Sequence, residues 1–325
     1  MRQRPALIVA LLTAVQIALA SPATAQDNRF RADWPATDFG RSAVPLDEVL
    51  SGGPPKDGIP AVDDPRAIPV ARESRLAEAE PVLSLTLGGE TRAWPIRYLM
   101  WHEIANDRLG GVPVAVTFCP LCNTGMVFDR RHAGAVLDFG VSGLLRHSDM
   151  IMYDRQTESW WQQATGEGIV GRHMGARLRQ LPAVMESWGE FRARHPDATV
   201  MDEPGAARSY GRNPYAGYDS SARPFLYRGE DPPHGIHPLA RVVRAGNRAW
   251  PLERVRRAGR IEEAGLVLTW TPGQVSALDT ATIARGREVG TVRVTDAAGR
   301  PAVHDIPFAF AFHAFHPQGE WMLGR

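Results

Sequence analysis

The two cysteines of the chain, Cys119 and Cys122, lie in the sequence Cys-Pro-Leu-Cys. Two thiols at this spacing can form a redox pair, supply two ligands to a metal ion, or close a short structural disulfide. A thioredoxin-like redox site needs a helix directly after the first cysteine, because the helix N-terminus lowers the pKa of the thiol. The residues that follow, Asn-Thr-Gly-Met-Val-Phe-Asp, favour a strand instead. The sequence therefore predicts a turn between two strands and disfavours a thioredoxin fold.

A metal site at these cysteines needs further ligands, and without a third cysteine they must be histidine or carboxylate. The nearest candidates are His102 and Glu103, in a segment where the apolar spacing predicts a helix over residues 96–109, ended by a glycine pair. Glu103 falls within the apolar stripe of that helix, and a carboxylate there must be paired, metal-bound or protonated. We therefore predict a catalytic group of His102, Glu103, Cys119 and Cys122, in which His102 is the third metal ligand or a proton carrier, and Glu103 is a base or supports the ligands. Two thiolates and an imidazole suit copper or zinc.

The chain starts like an exported protein. Arg2 and Arg4 precede an apolar run, Leu7–Ala20, that is too short to be a transmembrane anchor, and a small-x-small sequence ends at Ala25. This pattern predicts a signal peptide over residues 1–25 that is cleaved near Ala25. We therefore expect the mature protein to be periplasmic or secreted.

The charge of the chain is nearly balanced. Removal of residues 1–25 takes two of the 37 basic residues and none of the 36 acidic ones, which leaves a net charge of −1. A nucleic-acid partner is not expected, because the basic stripe that such proteins carry is missing. The expected partner is a small molecule, a glycan or a peptide.

An internal sequence repeat predicts the domain organisation. The sequence "ETRAWPIRYL" at 90–99 recurs as "GNRAWPLERV" at 246–255, and each is followed by a helix-like segment and a β-rich run. We interpret this as two related hairpin–helix–strand lobes packed together in a β-rich α+β fold. The first lobe covers 76–200 and the second 201–325, behind an extended, Gly- and Pro-rich N-terminal arm at 26–75.

The second copy lacks the reactive groups of the first. Thr271 stands where the first copy has Cys119, and nothing in the second copy corresponds to Cys122 or to the His-Glu pair. The second lobe is therefore predicted to be a degenerate, structural copy.

Several long motifs together are specific to one family. The sequences "AWPIRYLMWHEIAND", "VPVAVTFCPLCNTGMVFDR", "LDFGVSGLLRHSDMIMYDRQTESWWQQATGEGIVG" and "YGRNPYAGY" resemble the bacterial family called domain of unknown function (DUF) 3179, over roughly residues 35–325. The resemblance implies an exported or membrane-associated protein without a settled activity. The family motifs match this chain at His102, Glu103, Asn106, Asp107, Cys119, Cys122, Ser148, Asp149, Tyr153, Asp154 and Arg155. The chain departs from the family at His147, where the family usually has Asn.

Three interpretations of function remain open. The first is a metal-binding or thiol-redox protein that uses the Cys-Pro-Leu-Cys turn with the His-Glu helix. The second is a non-enzymatic glycan- or peptide-binding module in which a Cys119–Cys122 disulfide fixes a turn and tryptophan and tyrosine side chains line a groove. The third is a hydrolase that pairs Glu103 with Asp107 or Asp149. The predicted substrate-binding residues are Asn106, Asp107, Asp149, Tyr153, Arg155, Trp160 and Tyr215, and the groove of the second interpretation adds Trp161 and Tyr218.

Overall fold

The computed structural model describes residues 29–324 of a β-rich protein, 38% strand and 16% helix. The prediction of a β-rich fold is therefore confirmed. The four helices that lie wholly within the described residues are each seven residues long: α1 (Ile96–His102), α2 (Trp188–Arg194), α3 (Leu252–Ala258) and α4 (Ala309–Phe315). Single 3-10 turns lie at Leu46–Glu48, Val70–Arg72, Tyr218–Ser220, Pro233–Gly235 and Ile283–Arg285.

Three of the sheets have five strands each. Sheet 1 contains, in spatial order, β1 (Val49–Ser51), β11 (Phe139–Arg146), β12 (Asp149–Asp154), β13 (Trp160–Gln162) and β14 (Glu167–Val170). Sheet 2 contains β15 (Arg179–Leu181), β8 (Thr124–Asp129), β7 (Val112–Cys119), β6 (Ile104–Leu109) and β2 (Val62–Asp63). Sheet 3 contains β16 (Val184–Ser187), β4 (Pro81–Leu87), β5 (Glu90–Pro95), β17 (Thr199–Met201) and β3 (Ala67–Pro69).

Two smaller sheets come from the C-terminal part of the chain. Sheet 4 contains β18 (Val242–Ala245), β19 (Arg248–Pro251) and β23 (Glu320–Trp321), and sheet 5 contains β20 (Arg260–Glu263), β21 (Leu266–Thr271) and β22 (Thr291–Asp296). A ribbon of β9 (Arg131–His132) and β10 (Ala135–Val136) stands apart. Sheets 1–5 are arranged as a propeller-like ring of five blades.

The prediction of two lobes is wrong. The first Arg-Ala-Trp-Pro segment gives the hairpin β4–β5 to sheet 3 and the hairpin β6–β7 to sheet 2, with α1 between them. The second gives β18–β19 to sheet 4 and β20–β21 to sheet 5, with α3 between them. Each segment thus crosses from one blade to the next, and the largest core cluster joins both halves of the chain, for example Phe118 with Phe308 and Phe310.

Within residues 29–75, the N-terminal arm has no sheet of its own. Its three short strands, β1, β2 and β3, each add an edge to a different sheet, namely sheets 1, 2 and 3. Phe30, Trp34 and Phe39 of the arm pack around the buried ring of Trp160 in sheet 1. The arm is therefore bound to three blades along its length.

The helix predicted over residues 96–109 is wrong in its second half, because α1 ends at His102. Glu103 has a backbone φ of 58°, which stops the helix, and the following residues Ile104–Leu109 pair with β7 as strand β6. Asn106 and Asp107 therefore lie on a strand and not one helical turn from His102.

The predicted signal peptide lies outside the described residues, so cleavage near Ala25 stays a prediction. Within residues 29–324, no helix combines the length and the apolar character needed to cross a membrane.

Candidate functional site

Cys119 and Cys122 lie at the tip of a β-hairpin, as the sequence predicts. Strand β7 ends at Cys119, strand β8 begins at Thr124, and these two residues are paired in the ladder. The N–H of Cys122 donates to the carbonyl of Cys119 at 3.3 Å, which closes a turn with Pro120 at its second position. Asn123 completes the loop with a left-handed backbone, a conformation that asparagine tolerates better than most residues.

The tip of this hairpin is fixed by residues that are distant in the sequence. The hydroxyl of Tyr218 donates to the carbonyl of Leu121 at 3.0 Å, and the N–H of Phe308 donates to the carbonyl of Cys122 at 2.9 Å. The side-chain amide of Asn123 donates to the carbonyl of Ile306 at 2.6 Å. The backbone that carries both thiols is therefore held in place by the C-terminal half of the chain.

A second hairpin brings Asp149 to the two thiols. Strands β11 and β12 are joined by His147 and Ser148, whose φ values of 50° and 61° correspond to a two-residue type I′ turn. Asp149 follows as the first residue of β12. Its Oδ2 accepts hydrogen bonds from Gln162 Nε2 at 2.7 Å and from the N–H of Ala164 at 2.9 Å. Its Oδ1 is buried and has no hydrogen-bond partner among the described residues.

Cys119, Cys122 and Asp149 form the candidate site. One oxygen of Asp149 and the two Sγ atoms all lie within 4.8 Å of one another, and the three residues are at most 1% exposed. Both cysteines are free thiols, and Cys122 Sγ donates to the carbonyl of Ser148 at 3.3 Å. Burial raises the pKa of both thiols and raises the pKa of Asp149 to about 6. Three such groups without a cation favour their neutral forms, and a divalent cation would stabilise their charged forms.

Glu103 lies beside this cluster, at the junction of α1 and β6. Its N–H donates to the carbonyl of Leu99 at 2.7 Å, and its carbonyl accepts from the N–H of Phe118 at 2.8 Å, next to Cys119. Burial, and secondly the negative charge of Asp149, raise the pKa of the Glu103 carboxyl to about 8.

Glu103 lines a cavity of about 290 Å³. The other lining residues are mostly apolar: Gly52, Pro54, Ile59, Leu121, Val141, Gly143, Leu144, Leu145, Met150, Tyr215, Tyr218 and Phe225. Leu121 and Met150 are chain neighbours of Cys122 and Asp149, so the cavity lies directly beside the cluster.

A family model described as "Protein of unknown function (DUF3179)" matches residues 56–319. The chain belongs to this family. The predicted family resemblance is thereby confirmed. No curated protein and no solved structure matches the chain. Cys119, Cys122, Asp149 and Glu103 all lie inside the DUF3179 segment, so the candidate site is built from the part of the chain that defines the family.

His102 does not join the cysteines in this DUF3179 chain. Its Nδ1 is 2.7 Å from the carbonyl oxygen of Pro60, and its Nε2 is 2.6 Å from the hydroxyl of Tyr210. Both ring nitrogens therefore have partners, and the group of potential ligands around the thiols contains Asp149 instead. Burial lowers the pKa of His102, so the ring is neutral and ties α1 to the arm and to the Tyr210 loop.

Asn106 and Asp107 hold the scaffold together rather than facing the cavity. The Asn106 side chain donates to Asp63 and to the carbonyl of Phe139, both at 2.8 Å. Asp107 accepts from Arg92 at 2.8 Å and from the indole N–H of Trp94 at 2.8 Å. Neither residue lines the cavity of the DUF3179 site.

The remaining predicted substrate-binding residues are divided between core, surface and cavity. Trp160 and Trp161 are fully buried, so neither offers a face to a glycan. The hydroxyl of Tyr153 donates to Asp57, and Arg155 forms an ion pair with Asp63 at 2.6 Å. Of this set, Asp149 alone reaches the cluster, and Tyr215 and Tyr218 line the cavity.

The position of Asp149 beside the two thiols was missed by the sequence analysis, which assigned this residue to substrate binding. A signal was present in the two-residue gap between the runs that form β11 and β12, because a tight hairpin there fixes the direction of the first residue of β12. Nothing in the sequence indicates that this hairpin meets the cysteine hairpin, since the two contact each other only in the tertiary fold.

Proposed function

We propose that this DUF3179 protein binds one Zn²⁺ ion through Cys119, Cys122 and Asp149. The observation that carries the proposal is the clustering of the two sulfurs and one carboxylate oxygen within 4.8 Å in a fully buried position. The unpartnered Oδ1 of Asp149 supports it, because a buried carboxylate oxygen without a donor is costly unless something unseen pairs with it.

The donor set favours zinc over copper. Cu(I) prefers soft thiolate and thioether ligands, whereas Zn²⁺ accepts thiolate and carboxylate ligands in the same site. In a tetrahedral zinc site the bonds are about 2.3 Å to sulfur and about 2.0–2.2 Å to oxygen, so ligand atoms lie roughly 3.3–3.8 Å apart. The proposal requires the three atoms, which lie within 4.8 Å of one another, to close to that spacing by side-chain rotation.

Three protein ligands leave one coordination position for water or another ligand, the arrangement of catalytic zinc sites. The cavity beside Leu121 and Met150 is the region from which such a ligand would come. The proposal therefore includes an exchangeable fourth ligand.

The thiol-redox and glycan-binding alternatives have less support. A dithiol redox site needs a thiol with a lowered pKa, whereas burial raises the pKa of both Cys119 and Cys122. A glycan-binding groove built on Trp160 and Trp161 is not compatible with their complete burial.

We further propose that zinc is bound outside the cytoplasm. This part rests on the signal-peptide pattern of residues 1–25. It is tested by fractionating the native host and locating the mature chain by mass spectrometry. An uncleaved chain in the cytoplasmic fraction would contradict export.

The test of the zinc site is metal content per chain. The mature protein is purified anaerobically with reductant, reconstituted with zinc, desalted, and measured by plasma mass spectrometry beside three variants. Wild type is expected to hold about one zinc per chain, Cys119→Ser/Cys122→Ser none, and Asp149→Asn much less than one.

His102→Gln is the matched control, because it changes a buried residue that has no place in the proposed site. It is expected to retain zinc. Near-zero zinc in wild type, or equal zinc in wild type and the double serine variant, would overturn the proposal. Circular dichroism of each variant separates loss of zinc from loss of folding.

A further inference from the structure

The cavity beside the cluster has one ionisable carboxyl on an otherwise apolar wall. It measures about 290 Å³, which suits a small molecule, and Glu103 is its one charged lining residue. Phe225, which is 48% exposed, lies on the wall and marks the side open to solvent.

The carboxyl of Glu103 has no partner of its own. It is only 8% exposed, and no side chain or N–H within residues 29–324 forms a hydrogen bond or ion pair with it. Three other buried carboxylates of this chain are paired with arginine, namely Glu80 with Arg97, Glu186 with Arg194, and Asp107 with Arg92, and the buried Asp154 accepts from Thr157 and Trp161. A buried carboxyl that the protein leaves unpaired, facing a cavity, indicates that a ligand supplies the partner.

The backbone at Glu103 is also strained. Its φ of 58° lies in the region that glycine enters freely and that other residues enter at a cost of about 1 kcal/mol or more. A glycine here would remove both the strain and the unpaired carboxyl. That the chain has glutamate at this position is an independent indication that the side chain has a role.

Tyr215 provides a second free acceptor. Its hydroxyl makes no hydrogen bond to the part of the chain that the structure describes, and Glu103 contributes to the rise of the Tyr215 pKa, which burial causes in the first place. By contrast, the hydroxyl of Tyr218 is already bonded to the carbonyl of Leu121. The Tyr215 hydroxyl can donate or accept, and the Glu103 carboxyl becomes an acceptor when a cationic ligand favours its ionised form.

We propose that this cavity binds a small organic cation, a primary or secondary ammonium on an apolar body, with its ammonium on Glu103. The hydroxyl oxygen of Tyr215 accepts a second N–H of the ammonium, and the body packs against Leu145, Met150 and Phe225. The site is distinct from the zinc cluster, because none of its polar groups is one of the proposed zinc ligands.

The test is calorimetric titration of the mature, zinc-loaded protein with three probes of similar shape: 2-phenylethylamine, 2-phenylethanol and 3-phenylpropanoate. Hexylamine and cyclohexylamine are titrated as well, to test amines whose apolar part is aliphatic. The amines are expected to bind, the alcohol more weakly, and the carboxylate weakest. Glu103→Gln is expected to weaken the amine by about tenfold to a hundredfold, the effect of a charge-assisted hydrogen bond, and to change the alcohol little.

Phe225→Ala is the matched control, because it removes apolar contact without touching the carboxyl. It is expected to weaken amine and alcohol equally. The proposal is overturned if no amine binds below about 10 mM, if the carboxylate binds as tightly as the amine, or if Glu103→Gln leaves the amine affinity unchanged. Zinc content of Glu103→Gln, expected to equal that of wild type, keeps this result separate from the zinc proposal.

Discussion

Glu103 and Gly259 end two helices in nearly the same positive-φ backbone conformation, with φ and ψ of 58° and −31° at Glu103 and of 67° and −38° at Gly259. Each helix follows an Ala-Trp-Pro sequence, and each tryptophan indole donates to an acid on the strand that follows the helix, Trp94 to Asp107 and Trp250 to Glu263. The same local structure thus uses glycine in one segment and glutamate in the other.

We therefore expect Glu103→Gly to raise the free energy of unfolding by about 1 kcal/mol, because glycine adopts this conformation without strain and the unpaired carboxyl is removed. Gly259→Ala is the reciprocal variant. Nothing lies within 4 Å of a Cβ at that position, so backbone strain alone should lower stability by about 1 kcal/mol. Urea denaturation of the metal-free proteins measures both. A Glu103→Gly variant less stable than wild type would show that the carboxyl contributes to folding.

Glu103 should contribute a loss of stability to the metal-free protein as the pH rises from 5 to 8, whereas histidines whose pKa burial lowers, such as His304 and His316, act in the opposite direction. The pKa of Glu103 is raised from 4.5 to about 8 in the folded state, so the folded protein keeps a proton that the unfolded chain releases. The stabilisation is complete below pH 4.5 and is lost as the pH rises toward 8. At about 1.4 kcal/mol per pKa unit, we expect a loss of about 2–4 kcal/mol by pH 8.

Denaturation of Glu103→Gln at pH 5 and pH 8 is the comparison that isolates this group. Glutamine has no proton to release, so between pH 5 and pH 8 the variant should gain stability relative to wild type, because Asp149 and the histidines contribute alike to both proteins. Equal slopes for the two proteins would assign the pH dependence to other residues.

The turn that positions Asp149 is built from unfavourable residues. A type I′ turn requires positive φ at both central positions and prefers Asn-Gly, whereas this chain has His147 and Ser148. His147→Asn is expected to raise stability by about 0.5–1 kcal/mol and to leave zinc content unchanged. Ala133→Asn, in the turn between β9 and β10 with φ of 47°, is the matched control and should stabilise by a similar amount. Loss of zinc on His147→Asn would mean that the imidazole takes part in the site.

The sequence predicted what depends on local chemistry and missed what depends on tertiary contact. The cysteine hairpin could be predicted because Pro120 and Asn123 favour a turn and the flanking residues favour strands. The end of α1 could not, because it falls on Glu103, a residue that gives no helix-stop signal. Asp149 lies 27 residues after Cys122, and only the packing of one hairpin on another brings them together. The two-lobe prediction failed because each segment gives hairpins to two neighbouring blades and the largest core cluster joins both halves of the chain.

Asp107 should behave as a structural residue and not as a substrate ligand. Asp107→Ala leaves the buried indole N–H of Trp94 and the guanidinium of Arg92 without an acceptor, so we expect a loss of about 2–4 kcal/mol. Arg155→Ala removes only a surface ion pair with Asp63 and should change stability by less than about 1 kcal/mol. Neither variant, once folded, is expected to change zinc content or amine affinity. If either folded variant lost amine binding selectively, the substituted residue would be part of the substrate site after all.

The thiols of the native protein should react slowly, and zinc should make them slower still. Cys119 and Cys122 are at most 1% exposed, and burial raises the pKa of both thiols. Alkylation by iodoacetamide therefore requires local opening of the fold and ionisation of the thiol. At pH 7.5, mass spectrometry should show labelling at least about tenfold slower in the folded metal-free protein than in urea.

Zinc should slow the labelling of wild type further, because a metal-bound thiolate is shielded from alkylation and the metal stabilises the folded state. Asp149→Asn separates the two sources of protection. It should keep the protection that comes from burial and lose most of the protection that comes from zinc. If zinc protects Asp149→Asn as well as wild type, the carboxylate is not a ligand, and the metal must be held by the two sulfurs with another group.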